Sequence, residues 1–340
     1  MRKILQKILS KPLTWIGNYL AASPNQTMVS KSLSALYNSG ADITNNNCII
    51  IETEVADAKF IIFSDQHKGN KTWADDFAIA EHNYIAALQF YNQEQYQYVN
   101  LGDSEELWKF KPQDILSVNL GSFTAEAAFH PNRFFKTFGN HDIIWKNALD
   151  VGLLLKPYFT QPLLIYEGLI LRLKMEGVSL DVLLTHGHQG DLLSDNNWVS
   201  TWIVAHLWMP VQRYLRLNIN APSKDFSLRN KHNQMMHAWS SQQRNLVLIT
   251  GHTHSPVFAS GKYFNHPSNA ITPDFARQQL RPVYFNTGCC CFSDGDITGI
   301  EIADGHIRLV KWAGDKNGST RIVLEEIPLK QLISDLQERH

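Results

Sequence analysis

The chain has 340 residues, with 31 Lys+Arg against 32 Asp+Glu, 44% apolar residues and four cysteines. The near-neutral balance excludes a strongly basic nucleic-acid binder and an acidic disordered tail as descriptions of the whole chain, and four cysteines are too few for a disulfide scaffold. Cys289, Cys290 and Cys291 are consecutive and bridge one another poorly, so a reducing, cytoplasmic setting is expected.

Residues 1–47 form an N-terminal extension. Up to Ala41 its charges are Arg2, Lys3, Lys7, Lys11 and Lys31, with no acid, and Ile4, Leu5, Ile8 and Leu9 recur at helical spacing. Residues 1–20 therefore read either as a surface helix packed on the body or as an interfacial helix on the inner face of an anionic membrane. Residues 48–325 form the main domain. Short apolar runs at 48–51, 60–63 and 98–101 read as strands, with a helical pattern at 74–91 between the last two. Residues 134–138 read as a further strand, and 163–173 as a hairpin turning at Glu167-Gly168. Strands at 182–185 and 246–250 flank an inserted helical cap at 189–245, where Arg213, Arg216, Lys224, Arg229, Lys231 and Arg244 face only Asp191, Asp195 and Asp225. Its Trp198, Trp202, Leu207, Trp208 and Met209 suit either a packed subdomain or a lipid-receiving pocket. Residues 283–286, 297–302 and 307–312 read as antiparallel strands, the last two joined by Asp304-Gly305, and 326–340 as a C-terminal helix.

Five polar motifs follow these apolar runs: Ser64-Asp65-Gln66-His67, Gly102-Asp103, Gly139-Asn140-His141-Asp142, His186-Gly187-His188 and Gly251-His252-Thr253-His254. Loops after strands are where α/β folds build sites. Carboxylates and imidazoles suit Mn, Fe, Zn or Ni better than Ca. In Asp-x-His and His-x-His both side chains lie on one side of an extended segment. One aspartate can bridge two cations, and such a pair clamps a phosphate and activates water. Each motif alone is weak; all five, each after an apolar run, point to a dinuclear metal centre.

In this order the motifs resemble those of the calcineurin-like metallophosphoesterases. The resemblance spans roughly residues 48–310 and fills every motif position. It implies an α/β fold, a four-layer α/β/β/α sandwich with the helical cap inserted. It also implies a metal-dependent phosphoric ester hydrolase holding two divalent ions, with Mn favoured over Fe, Zn or Ni. Asp65, His67 and His254 would hold the first ion, Asp103 would bridge, and Asn140, His186 and His252 would hold the second. His141 would lie near the phosphoryl group with Asp142 orienting it, and a metal-bridging hydroxide would attack phosphorus. His188 is open between a role beside the ligands, one facing substrate and a structural one.

Protein Ser/Thr phosphatases of this group carry an arginine a few residues after the Gly-Asp aspartate, and none follows Asp103. The pattern Gly102-Asp103-x-x-Glu106-x-Trp108, with Asp191, Asp195 and an apolar, basic stretch around 202–216, is similar to bacterial UDP-diacylglucosamine pyrophosphohydrolases, although those carry arginine in place of His141. The expected substrate is a small phosphoester or pyrophosphate, lipid-linked or nucleotide in kind, with no nucleic-acid partner. The alternatives are a protein phosphatase and a non-catalytic interaction module of the same fold. The three consecutive cysteines read as a buried, reduced segment without complementary ligand spacing nearby.

Overall fold

Residues 60–63 are apolar without alternation, as expected of a strand covered on both faces, and all four are fully buried. The computed structural model describes residues 25–41, 47–159, 161–190, 226–261, 282–315 and 318–337. These form a mixed α/β structure with two sheets. Numbered in chain order, one sheet has five strands: β1 (Cys48–Glu54), β6 (Gly168–Met175), β7 (Val178–Thr185), β8 (Leu246–Thr250) and β9 (Tyr284–Asn286), adjacent in that order. The other has seven, in the order β12 (Gly318–Pro328), β11 (His306–Asp315), β10 (Ile297–Ala303), β2 (Lys59–Phe63), β3 (Gln97–Leu101), β4 (Phe134–Thr137) and β5 (Ile165–Tyr166). The helices are α1 (Gln26–Ser39), α2 (Glu81–Gln93), α3 (Pro112–Val118), α4 (Leu120–Ala127), α5 (Ala148–Leu154), α6 (Phe226–Ser240) and α7 (Leu329–Gln337).

Alternate residues of the two sheets share one apolar cluster. Phe60, Ile62, Val99 and Leu101 of the seven-stranded sheet meet Leu169, Leu171, Val182, Leu184, Val247 and Ile249 of the five-stranded sheet. The intervening residues of β2 and β3, Ile61, Phe63 and Tyr98, pack with Tyr84, Leu88 and Tyr91 of α2 and Phe123 of α4. Ile170, Leu183 and Leu248 pack with Val29, Leu33 and Leu36 of α1 and Met236 and Trp239 of α6. Helix α1 starts where the Asn25 side chain accepts from the Thr27 N–H at 2.8 Å, satisfying one of its free amides.

Several sequence expectations change here. Helix α1, from the extension, and α6, from the expected cap, pack against the five-stranded sheet. The run 163–173 is not a hairpin: β5 pairs with β4 in one sheet, and β6 pairs with β1 and β7 in the other. The true hairpin is β6–β7, turning at Glu176-Gly177, both with positive φ, as a two-residue turn of matching twist requires. Strand β9 runs parallel to β8 rather than joining the antiparallel C-terminal strands, and β12 adds an edge strand next to β11. The basic segment 1–20 and residues 191–225 of the expected cap lie outside the described residues. Among the described residues no helix is long and apolar enough to cross a membrane.

Candidate metal centre

Strands β2, β3 and β4 run parallel to one another, as do β7, β8 and β9, so their carboxyl ends deliver all five motifs. The loop after β2 continues the ladder onto the loop after β3. The Asp65 N–H donates to the Gly102 carbonyl at 3.1 Å and the His67 N–H to the Asp103 carbonyl at 2.9 Å. Asp65, His67, Asp103, His252 and His254 all hold φ between 50° and 68°, the left-handed region that side chains with a Cβ seldom adopt. Such strain persists only where surrounding contacts over-determine it, and it collects at functional sites. Two glycines permit the close approach: a Cβ at Gly139 would run into Asp103, and one at Gly251 into Ser64 and Asp65.

The expected ligands converge in adjoining groups. Asp65, His67 and His254 bring their ligand atoms within 4.8 Å of one another; so do Asp103, His186 and His252, and so do His67, Asp103 and His141. Asp65 Oδ2 accepts from the His252 N–H at 2.9 Å and from the Ser64 hydroxyl, leaving Oδ1 3.1 Å from His254 Nε2 and 3.7 Å from His67 Nε2. Asp103 Oδ1 accepts from the His141 N–H at 2.8 Å. Asp103 Oδ2 lies 3.2, 3.6 and 3.9 Å from the Nε2 atoms of His186, His67 and His141. One carboxylate oxygen thus stands between the two ligand sets.

The donor chemistry fits metal. His186 Nδ1 donates to the Leu101 carbonyl at 2.9 Å, which leaves the Nε2 lone pair directed at the site. The Nε2 atoms of His67 and His254 face each other at 3.0 Å beside Asp65, an arrangement that a shared cation resolves. Asn140 Oδ1 is buried without a hydrogen-bond donor. Burial pushes the Asp65 carboxyl up, but the positive charge available on His254 and His186 outweighs it and holds the group well below the usual carboxylate range. For Asp103 burial is likewise outweighed, by His186 and then His141. Burial lowers the His186 and His254 imidazoles, yet Asp103 for the first, and Cys291 and Asp65 for the second, carry both up to about 9. Buried carboxylates and imidazoles that stabilise each other's charge in this way exchange protons for cations readily.

His141 is held by a residue the sequence reading did not assign. Its Nδ1 is 2.9 Å from Glu106 Oε1, while Glu106 Oε2 is 3.3 Å from His67 Nδ1. The Trp108 indole stacks on the His141 ring at 3.9 Å and 17°, and its N–H donates to the Asn140 carbonyl at 2.9 Å. Asp142 does not orient His141. Its carboxylate accepts from the backbone N–H groups of Gly139, Ser104 and Asp103 at 2.6, 2.8 and 3.3 Å, tying the loop after β4 to the loop after β3. Burial, followed by the Glu105 charge, pushes that carboxyl up to about 6. Glu106 and Trp108 were visible in the Gly-Asp-x-x-Glu-x-Trp pattern, but the pattern alone did not say which rings they meet. Because Glu106 holds the His141 ring and lies against His67, Glu106→Gln is expected to weaken Mn²⁺ affinity roughly 10–100-fold, read by metal titration, with the melting temperature little changed. Unchanged affinity would sink that role.

His188 is buried beside His186, with ring centroids 5.5 Å apart, and is not among the grouped ligand atoms. Burial, then the charges of His186 and His252, lower its imidazole well below its ordinary value. The His232 ring of α6 lies 5.1 Å from that of His252, a neighbour from within the expected cap.

No protein-family model and no curated protein matches the chain. Among solved structures, it is similar to vacuolar protein sorting 29 from Cryptosporidium parvum, at 10% identity over 80% of this chain and 98% of that one, with a TM-score of 0.33. It is also similar to the wild-type Vps29 of Entamoeba histolytica complexed with zinc, at 14% identity over 80% and 99%, TM-score 0.31. A Vps29 double mutant from the same organism gives 12% identity over 78% and 99%, TM-score 0.32. These scores are too low to bear on the chemistry, which rests on the side chains.

Proposed function

We propose that the protein is a dinuclear metal-dependent phosphoesterase of the calcineurin-like kind, with a four-layer α/β/β/α body. The observation that carries this reading is the place of Asp103 Oδ2, within 3.9 Å of the Nε2 atoms of His67, His141 and His186, and so between a ligand of each proposed ion, His67 and His186. Asp65, His67 and His254 would hold one ion, and Asn140, His186 and His252 the other, with Asp103 between them. When bound, two divalent ions supply positive charge for phosphoryl oxygens and a nucleophile from water at neutral pH. His141 presents Nε2 on the site side while Glu106 holds Nδ1, a placement for passing a proton to the leaving oxygen. Trp108 fixes the plane of that ring by stacking.

The substrate class this reading favours is a small phosphoester or pyrophosphate, with lipid-linked and nucleotide substrates included. The Glu106-x-Trp108 arrangement supports it, and the lack of arginine at 104–118 weighs against a protein phosphatase. The test is hydrolysis of matched monoester, diester and nucleotide-pyrophosphate substrates by metal-stripped protein with and without added Mn²⁺. Turnover that returns only with metal is the expected result. Protein that binds two ions yet cleaves none of the three classes would instead favour a non-catalytic binding module.

A further inference from the structure

The residues 289–291 follow β9 and reach the centre from a side that no motif accounts for. The Cys290 N–H donates to the Asp65 carbonyl at 3.2 Å, which pins the run against a ligand-bearing loop. Cys290 itself packs in the apolar cluster around α2, while Cys289 and Cys291 bring their sulfurs together beside His254. Cys289 is buried and Cys291 half-buried, and both are free thiols. Cys291 Sγ lies 3.8 Å from Nδ1 of His254, and Cys289, Cys291 and His254 place one ligand atom each within 4.8 Å of one another. No complementary ligand adjoins these cysteines in sequence; the fold supplies one from 35 or more positions away, on the loop after β8.

The geometry points to a second kind of metal site, in which Cys289 Sγ, Cys291 Sγ and His254 Nδ1 bind a thiophilic divalent ion of the zinc and cadmium class. A tetrahedral ion with metal–sulfur bonds of about 2.3 Å and metal–nitrogen bonds of about 2.0–2.1 Å needs its sulfur and nitrogen ligands about 3.6 Å apart. The observed 3.8 Å between Cys291 Sγ and His254 Nδ1 meets that with little movement. Two thiolates and one imidazole leave a fourth tetrahedral position for water or a small ligand. The donor set also separates the two sites by ion. Thiolates select soft ions, whereas the centre of carboxylates and imidazoles accepts Mn as well. The His254 ring joins them: Nε2 is 3.1 Å from Asp65 Oδ1 while Nδ1 faces the thiols, so an ion on the sulfur side acts on a ligand of the centre.

The site does not require the phosphoesterase reading, and its test is independent of turnover. Reduced full-length protein is titrated with Cd²⁺, following the ultraviolet thiolate-to-cadmium charge-transfer absorption and bound metal per chain. Wild type is expected to show a two-thiolate band and one more bound equivalent than Cys291→Ala, in which the band is largely lost. Cys290→Ala and Cys48→Ala keep the band. Asp103→Asn, which alters the carboxylate centre, keeps it too, so failure of one site is distinguishable from failure of the other. Cys291 is half-buried and its truncation spares the core, so a fold check by circular dichroism separates lost ligation from lost structure. A wild-type titration without the band, or a band equally strong in folded Cys291→Ala, overturns the proposal.

Discussion

Asp103→Asn is expected to lower Mn²⁺-dependent phosphoester turnover by on the order of 10³-fold or more, with the fold retained. The substitution is close to isosteric, and its carbonyl oxygen can still accept the His141 N–H that Oδ1 accepts in the native chain. The backbone contacts are untouched: the Asp103 carbonyl still receives the His67 N–H, and its N–H still reaches Asp142. What changes is the second oxygen. Oδ2, now set among the Nε2 atoms of His67, His141 and His186, becomes an amide NH₂ that carries no charge and has no lone pair for a cation. Both proposed ion sites lose at once the oxygen that lies between His67 and His186. Bound metal per chain should therefore fall together with turnover. The same measurement on Asp65→Asn gives the contrast, because Asp65 Oδ1 faces His67 and His254 of one group only. Asp65→Asn should cost one ion, Asp103→Asn should disturb two. If Asp103→Asn kept both ions and turned over within about threefold of wild type, Asp103 would not be the bridge.

The candidate ligands were legible because each follows directly on an apolar run that becomes a parallel strand, as with Phe60–Phe63 before Asp65 or Leu246–Thr250 before His252. Local alternation also located the Asp304-Gly305 turn, whose residues both hold positive φ. What it could not supply was the sheet a strand joins. Residues 165–166 and 168–175 read as one hairpin because a single residue separates them, yet the chain passes between sheets at Glu167. Strand β12 escaped notice because it is a half-exposed edge that carries Arg321, Glu325 and Glu326 among its apolar residues. Asp142 departs from its expected place for a related reason. Adjacency in sequence suggested contact with His141, but in the loop its carboxylate turns to three backbone amides, and a glutamate 35 positions earlier takes the imidazole. Distances across a fold are set by tertiary packing, which no short window of sequence encodes.

Glu105→Ala is expected to destabilise the protein by about 3–5 kcal/mol, the usual cost of stranding a buried charge. Glu105, Lys68, Glu126 and Lys136 are all buried. Glu105 Oε2 accepts from Lys136 Nζ at 2.8 Å and from the Trp145 indole at 2.7 Å, and Oε1 from the Ser104 hydroxyl at 2.9 Å. Lys68 spans Glu105 at 3.3 Å and Glu126, which also accepts the Tyr84 hydroxyl at 2.8 Å. Burial pushes the Glu105 carboxyl up, but Lys136 and Lys68 outweigh it and hold the group below its ordinary value. Removing that carboxylate leaves Lys136 with a buried ammonium whose ion pair is gone, whereas Lys68 keeps Glu126. The effect should therefore follow Lys136: Glu105→Leu combined with Lys136→Met, which strands neither charge, should recover a large part of the loss. Urea unfolding curves with unchanged slope would measure all three proteins. A loss below about 1 kcal/mol for Glu105→Ala, or a double variant no better than the single one, would contradict this account of the network. Its consequence for the site is direct. Lys68 and Glu105 form the β-bridge that joins the loops carrying His67 and Glu106, and each adjoins one of those residues in sequence. A stranded Lys136 should loosen that bridge, so Mn²⁺ affinity should fall in Glu105→Ala even at temperatures where the protein is still folded.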